Sequence, residues 1–202
     1  MSRSRFLRFP PLAAISVGLA VILAGCSNDS SISAQFTPSA TASAPGLVKL
    51  VERSRSGSRV VVDVLLNGPE PGLDLFAFKF GIKIGNDNLV SLVAQSTYNQ
   101  TALVAANGQS ISIDVDGASD PSLVQVDVGK DVGAGNPIAA PSAVVLEVAF
   151  DVQAAGATTL TLVGLGGAPP RAVDSANATI AAVQFDAASA TVTGVSSGGG
   201  GY

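Results

Sequence analysis

The stretch LDLFAFKFGIKI, residues 73–84, holds the clearest two-residue alternation in the chain. Phe76, Phe78, Phe80, Ile82 and Ile84 fall on one side of an extended backbone. Leu75, Ala77, Lys79, Gly81 and Lys83 fall on the other. Successive side chains of a strand point to opposite faces, so this pattern predicts a strand with one face in a core and the other towards solvent. A row of phenylalanines at this spacing is the inside of a packed sheet rather than a ligand stripe.

The same reading extends in both directions. Upstream, residues 47–52 and RVVVDVLL (59–66) are β-branched and strand-like, separated by the turn SRSGS (54–58). The loop NGPEPG (67–72) suits neither strand nor helix. Downstream, GNDN (85–88) turns the chain and residues 89–94 return. Residues 101–106 and 109–115 flank Asn107-Gly108, a strong hairpin dipeptide. Residues 123–128 alternate again, with Gln125 and Asp127 on the polar side. Further strands are predicted over 143–152, 158–163, 179–185 and 188–192. No segment keeps a helical period over three turns. Nine to eleven short strands at this spacing make an all-β domain, a β-sandwich or jelly roll.

The first residues have a different logic. Arg3, Arg5 and Arg8 precede the uncharged run LAAISVGLAVILA (12–24), which ends in Leu23-Ala24-Gly25-Cys26. A positive start, an apolar stretch and small residues before a cut are the layout of a secretory signal. The apolar run is short of the ~20 residues that span a bilayer. Cys26 is the only cysteine, so an internal disulfide is ruled out. Residues 23–26 resemble the lipobox of bacterial lipoproteins. That resemblance implies lipidation of Cys26, cleavage before it, and a chain anchored to the cell envelope. Ser27, with no aspartate in its place, resembles the pattern of outer-membrane lipoproteins.

The expected organisation is a signal peptide over 1–25, lipidated Cys26 with a flexible linker to 45, a sandwich domain over 46–194, and a glycine-rich tail over 195–202. The linker reading rests on SNDSSISAQFTPSATASAP (27–45), rich in Ser, Ala and Thr and without period. Nineteen such residues would hold the domain about 24 Å from the membrane.

Composition excludes several functions. Without residues 1–25 the chain has 8 Lys and Arg against 15 Asp and Glu, a formal charge of −7. Nucleic acid, which needs a basic face, is not a partner for such a chain. There is no histidine, so triads and imidazole zinc sites are absent. Among twelve aspartates and Glu52, Glu70 and Glu147, no pair stands out for glycoside hydrolysis. The sequence therefore points to no enzyme and to no cofactor. Asp114, Asp116 and Asp120 alternate in DVDGASD (114–120), which is weakly like a calcium loop. The segment lacks the full EF-hand spacing and closing glutamate, so it reads first as a polar turn.

The order of these strands, with GLDLFAFKF (72–80) running into NLVSLV (88–93), AVVLEVAFDVQAAGATTLTL (143–162) and ATIAAVQFDAASATVTG (178–194), resembles the cohesin domain and its relatives among bacterial carbohydrate-binding modules. The resemblance implies a nine-stranded jelly-roll β-sandwich, and capture of a dockerin, a small secreted protein module, through one sheet face that includes residues 73–84. Ala77 stands where cohesins often carry an acidic residue between two aromatics, and Ile82-Lys83 where many have Tyr-Asp. Strand parity assigns that face to Ala77, Lys79, Lys83, Ser112, Asp114, Gln125 and Asp127. The leading expectation is a membrane-tethered, non-catalytic module for a secreted protein partner. The alternatives are polysaccharide binding, disfavoured by the lack of tryptophan, and a structural envelope role.

Overall fold

The computed structural model describes residues 31–68, 72–95, 98–103, 111–117, 119–131 and 142–197, with 111–114 described by their backbone. The expected signal peptide over 1–25, Cys26, the expected hairpin at Asn107-Gly108 and residues 198–202 lie outside the described residues.

The described residues are all-β and form a two-sheet sandwich. The strands are β1 (Ile32–Thr37), β2 (Leu47–Ser56), β3 (Arg59–Asn67), β4 (Ala77–Ile84), β5 (Val90–Val93), β6 (Ile111–Asp116), β7 (Leu123–Lys130), β8 (Ser142–Val152), β9 (Gly156–Val163), β10 (Arg171–Val173), β11 (Gln184–Phe185) and β12 (Ala190–Ser196). One sheet runs β1-β12-β9-β4-β7-β6, with β10 also on β4. The other runs β11-β2-β3-β8-β5. The expected jelly-roll sandwich is thus present, and β1 and β10 are strands that the sequence reading did not place.

β4 lies at the centre. One edge pairs with β7 along its length. The other is shared, with β10 beside Ala77–Lys79 and β9 beside Gly81–Ile84. Phe78, Phe80, Ile82 and Ile84 are buried as their parity requires, facing Val60, Val62 and Val64 of β3 and Phe150 of β8 within one core. Val124, Val126 and Val128 of β7 extend it. A bulge shifts the register of β8 between its partners Val64 and Leu65, and both Val145 and Leu146 are buried there.

Phe76 departs from the alternation. Leu75 is fully buried in its place, while Phe76 is half-buried and lines a hollow on the outside of the sheet. The regular ladder begins only at Ala77, and the Phe76 amide is held by the Val173 carbonyl at 2.9 Å. Two-residue parity holds only where the ladder is continuous, so it cannot be carried back past this point.

The linker reading is corrected over 31–45. Ile32–Thr37 form β1, antiparallel to β12, and Ala34 and Phe36 enter the core. The segment that follows is strapped down. Ser39 and Thr41 both donate to the Asp186 carboxylate, Lys49 donates to the Thr41 carbonyl, and Asn67 donates to the Ala44 carbonyl. The alternation in ISAQFT is short and built from small residues, so it is masked by the Ser/Ala/Thr composition around it. The tail boundary moves for the same reason, since Val195 and Ser196 belong to β12 opposite Ser33 and Ile32.

Two expected strands also change. Residues 101–103 form a turn, because the Thr101 and Ala102 amides both bond the Val144 carbonyl, and Ala102 and Leu103 are buried there. Of 179–185, only Gln184–Phe185 make a strand, parallel to β2, while Thr179 makes a single bridge to Val173. The turn between β2 and β3 narrows to Gly57-Ser58, with Gly57 at φ 56°, a conformation glycine adopts without penalty.

Candidate partner-binding face

The outer face of β6-β7-β4, continued by β9 and β10, carries the candidate site. Registers bring four charged positions into one row across it. Asp114 of β6 lies opposite Asp127 of β7, Asp127 opposite Lys79 of β4, and Lys79 opposite Arg171 of β10. Two acidic positions are followed by two basic ones. Lys79 Nζ and an Asp127 carboxylate oxygen are 3.3 Å apart, with side chains 40% and 51% exposed. A pair this open to water contributes little to stability, so its charges are available to an incoming surface.

The next row is apolar at its middle. Gly81 lies between Gln125 and Val163. A Cβ on Gly81 would come within 2.8 Å of Leu123 Cδ1 and 3.1 Å of both Val163 Cγ2 and Leu165 Cδ2. These three half-buried side chains therefore close over a glycine on the outside of the sheet. Glycine in a central strand often marks such a close approach. At the far side Lys83 is exposed and donates to Ser122 Oγ at 2.5 Å. Ser122 in turn donates to Asp120 through its amide at 2.9 Å and its hydroxyl at 2.7 Å, and these bonds hold the Asp120 carboxyl below its ordinary range.

Of the seven face residues read from the sequence, Lys79, Lys83, Gln125 and Asp127 are solvent-accessible on this surface. Ser112 and Asp114 take the expected register positions, opposite Gly129 and Asp127. Ala77 is a correction. It is only 5% exposed, enclosed between Gly129 and Val173 on the neighbouring strands. The short strand β10, which parity alone could not reveal, covers it. Arg171, Leu165 and Val163 were not singled out in the sequence. Gly81, in the middle of the clearest strand pattern, is the one sequence signal that could have marked an apolar contact on the solvent side, and it was not read so.

Two hollows flank the charged row. One, of about 190 Å³, lies between Lys79, Asp127, Leu165, Pro169 and Arg171, and the other, of about 200 Å³, is lined by Phe76, Val173 and Ser175. Both are below the ~300–1,000 Å³ of small-molecule sites. They suit side chains of a partner better than a whole substrate.

Of the calcium candidates, Asp116 accepts from the Ser119 hydroxyl at 2.9 Å and Asp120 is engaged by Ser122. Among the described residues no three acidic or thiol side chains gather as a metal site. On the opposite sheet, Arg53 lies 3.2 Å from Asp63 and 3.0 Å from Glu147, and Asn99 donates to Glu147. Burial pushes the Asp63 carboxyl up, opposed by Arg53. Arg59 makes a two-pronged pair with Asp151 at 2.9 and 3.0 Å.

Neither a protein-family model nor a curated protein sequence matches the chain. Solved structures do. A type II cohesin domain from the cellulosome of Acetivibrio cellulolyticus superposes with a TM-score of 0.52 at 10% identity, covering 75% of this chain and 95% of that one. The cohesin of a type II cohesin–X-dockerin complex from the same organism gives 0.51 at 10% identity, over 75% and 94%. A type II cohesin dyad from its adaptor scaffoldin gives 0.51 at 10% identity, over 73% of this chain and 48% of that one. The fold of this chain is that of the type II cohesin domain.

Proposed function

We propose that this chain is a non-catalytic attachment module, held on the cell envelope through lipid on Cys26, that captures a secreted protein partner on the outer face of β6-β7-β4-β9. The observation that carries the reading is the apolar centre over Gly81 set inside a charged and polar rim. Protein interfaces have this anatomy, with desolvated apolar contacts in the middle and polar groups around them. A partner complementary to the row would present a basic group over Asp127 and acidic groups over Lys79 and Arg171. It would place an apolar side chain between Leu123, Val163 and Leu165. A dockerin-like helical module is the expected class, because a cohesin with this fold is found in complex with one.

The test uses the mature chain, immobilised, against the secreted proteins of its own organism, with and without calcium. Captured proteins are then compared between the wild type and Lys79→Glu and Leu165→Asp. A partner that is retained by the wild type and lost by both variants supports this face. Equal capture by all three removes it. Retention on insoluble polysaccharide, with no protein captured, favours carbohydrate binding instead.

A further inference from the structure

β1 changes what the N-terminal segment does. Residues 32–37 are a strand of the sandwich, with Ala34 and Phe36 in the core. The Ala34 amide bonds the Gly57 carbonyl at 2.8 Å, and the Ser197 amide bonds the Ser31 carbonyl at 3.0 Å. At most four residues, 27–30, therefore separate Cys26 from Ser31, the first residue held by the sandwich. Four residues reach at most about 14 Å, against about 68 Å for the nineteen that composition alone suggested.

A short tether fixes an end as well as a distance. The start of β1 shares its end of the sandwich with the β2–β3 hairpin at Gly57-Ser58 and the β8–β9 turn. Gly194 pairs with both Ala34 and Gly156, and the Val152 amide bonds the Ser58 carbonyl at 2.8 Å. β4 runs towards this end, with Ile84 near it and Ala77 far from it, since Ile84 pairs with Leu160 of β9 and β9 begins at Gly156. The turn over 174–179 lies at the far end, beside the start of β4, where the Ser175 hydroxyl donates to Asp74.

We infer that the sandwich is held upright on the lipid surface, with the Gly57-Ser58 hairpin towards the headgroups and the 174–179 turn away from them. This rests on the lipidation of Cys26 argued above. The face of Lys79 and Asp127 then stands at right angles to the membrane, open to a partner approaching along the surface. The orientation comes from β-strand pairing close to the anchor and needs no attraction between protein and lipid. Arg53, Arg55 and Arg59 near that end each already have a carboxylate within 3.5 Å.

The experiment uses the full lipidated chain in vesicles that carry a quencher on their headgroups. A single fluorescent label is placed through Ser56→Cys or Ala176→Cys, both exposed positions; lipid on Cys26 leaves the new thiol as the only one to label. Eight residues of β4 separate the two ends by about 26 Å. Loss of most of the signal at position 56, with none at 176, supports the inference. An insertion of twenty Gly and Ser residues after Ser27 should then abolish the difference. Equal quenching at the two positions in protein that floats with the vesicles overturns the orientation and leaves the anchor intact. Failure to float overturns the lipidation reading itself, and the orientation with it.

Discussion

Phe76 and Phe78 stand two residues apart in one alternating run, and replacing each with alanine separates the parity of the sequence from that of the fold. Phe78 is fully buried, opposite Val128 on one side and Ala172 on the other, both also fully buried. Removing its ring forfeits the transfer of the side chain and leaves a cavity between strands that cannot close, for a loss of about 3–5 kcal/mol. Phe76 is half-buried at the outer hollow. Water can fill the space its ring leaves, so its loss should be about 1 kcal/mol, roughly half the transfer value of a fully buried phenylalanine. The assay is urea unfolding of the mature chain, followed by tyrosine fluorescence and circular dichroism. With a slope of about 2 kcal/mol per molar, the Phe78→Ala midpoint should fall by roughly 1.5–2.5 M, and that of Phe76→Ala by about 0.5 M. Comparable losses at the two positions would refute the break in the ladder before Ala77. A loss below about 1 kcal/mol at Phe78 would refute the placement of the core itself.

Phe36→Ala should cost about 3 kcal/mol in the same melts, since the ring is buried in the core; a free tether would show no change. Lys79→Glu should leave stability within about 0.5 kcal/mol while weakening partner capture, read by melting temperature and pull-down together. Asp186 is pushed up by burial but held lower still, on balance, by hydrogen bonds from Ser39, the Ala188 amide and Thr41, with Lys49 nearby. A carboxyl depressed in the folded state contributes stability that is present above its unfolded value of about 3.9 and is lost as pH falls through the folded value. Asp186→Asn should therefore destabilise the domain at neutral pH and flatten its loss of stability below about pH 4; an acid limb unchanged by the substitution would contradict the strap.

What could be read from the sequence follows from how each element is stabilised. β3, β4, β7 and β8 bury one side of a continuous ladder, so their apolar residues recur at every second position, and the sandwich was legible from them. β1, β10 and β11 are different in kind. They are held by pairing to a strand already in place; β10 and β11, of three and two residues, have no period to detect, and the six residues of β1 alternate within a segment of small polar side chains. β10 then decides the site. It buries Ala77, brings Arg171 beside Lys79, and completes a charged row of which the sequence had shown only Lys79, Asp114 and Asp127. The same holds for the N-terminal end. SSISAQFTPSATASAP has the composition of a tether, and composition reports only the entropy a segment would lose on ordering. It does not report whether a partner strand such as β12 stands ready to offset that loss with backbone hydrogen bonds and two buried side chains. Pairing of this sort is a property of the assembled sheet, which is why both the outer edge of the candidate face and the place of the N-terminal segment in the sandwich emerge only once the fold is known.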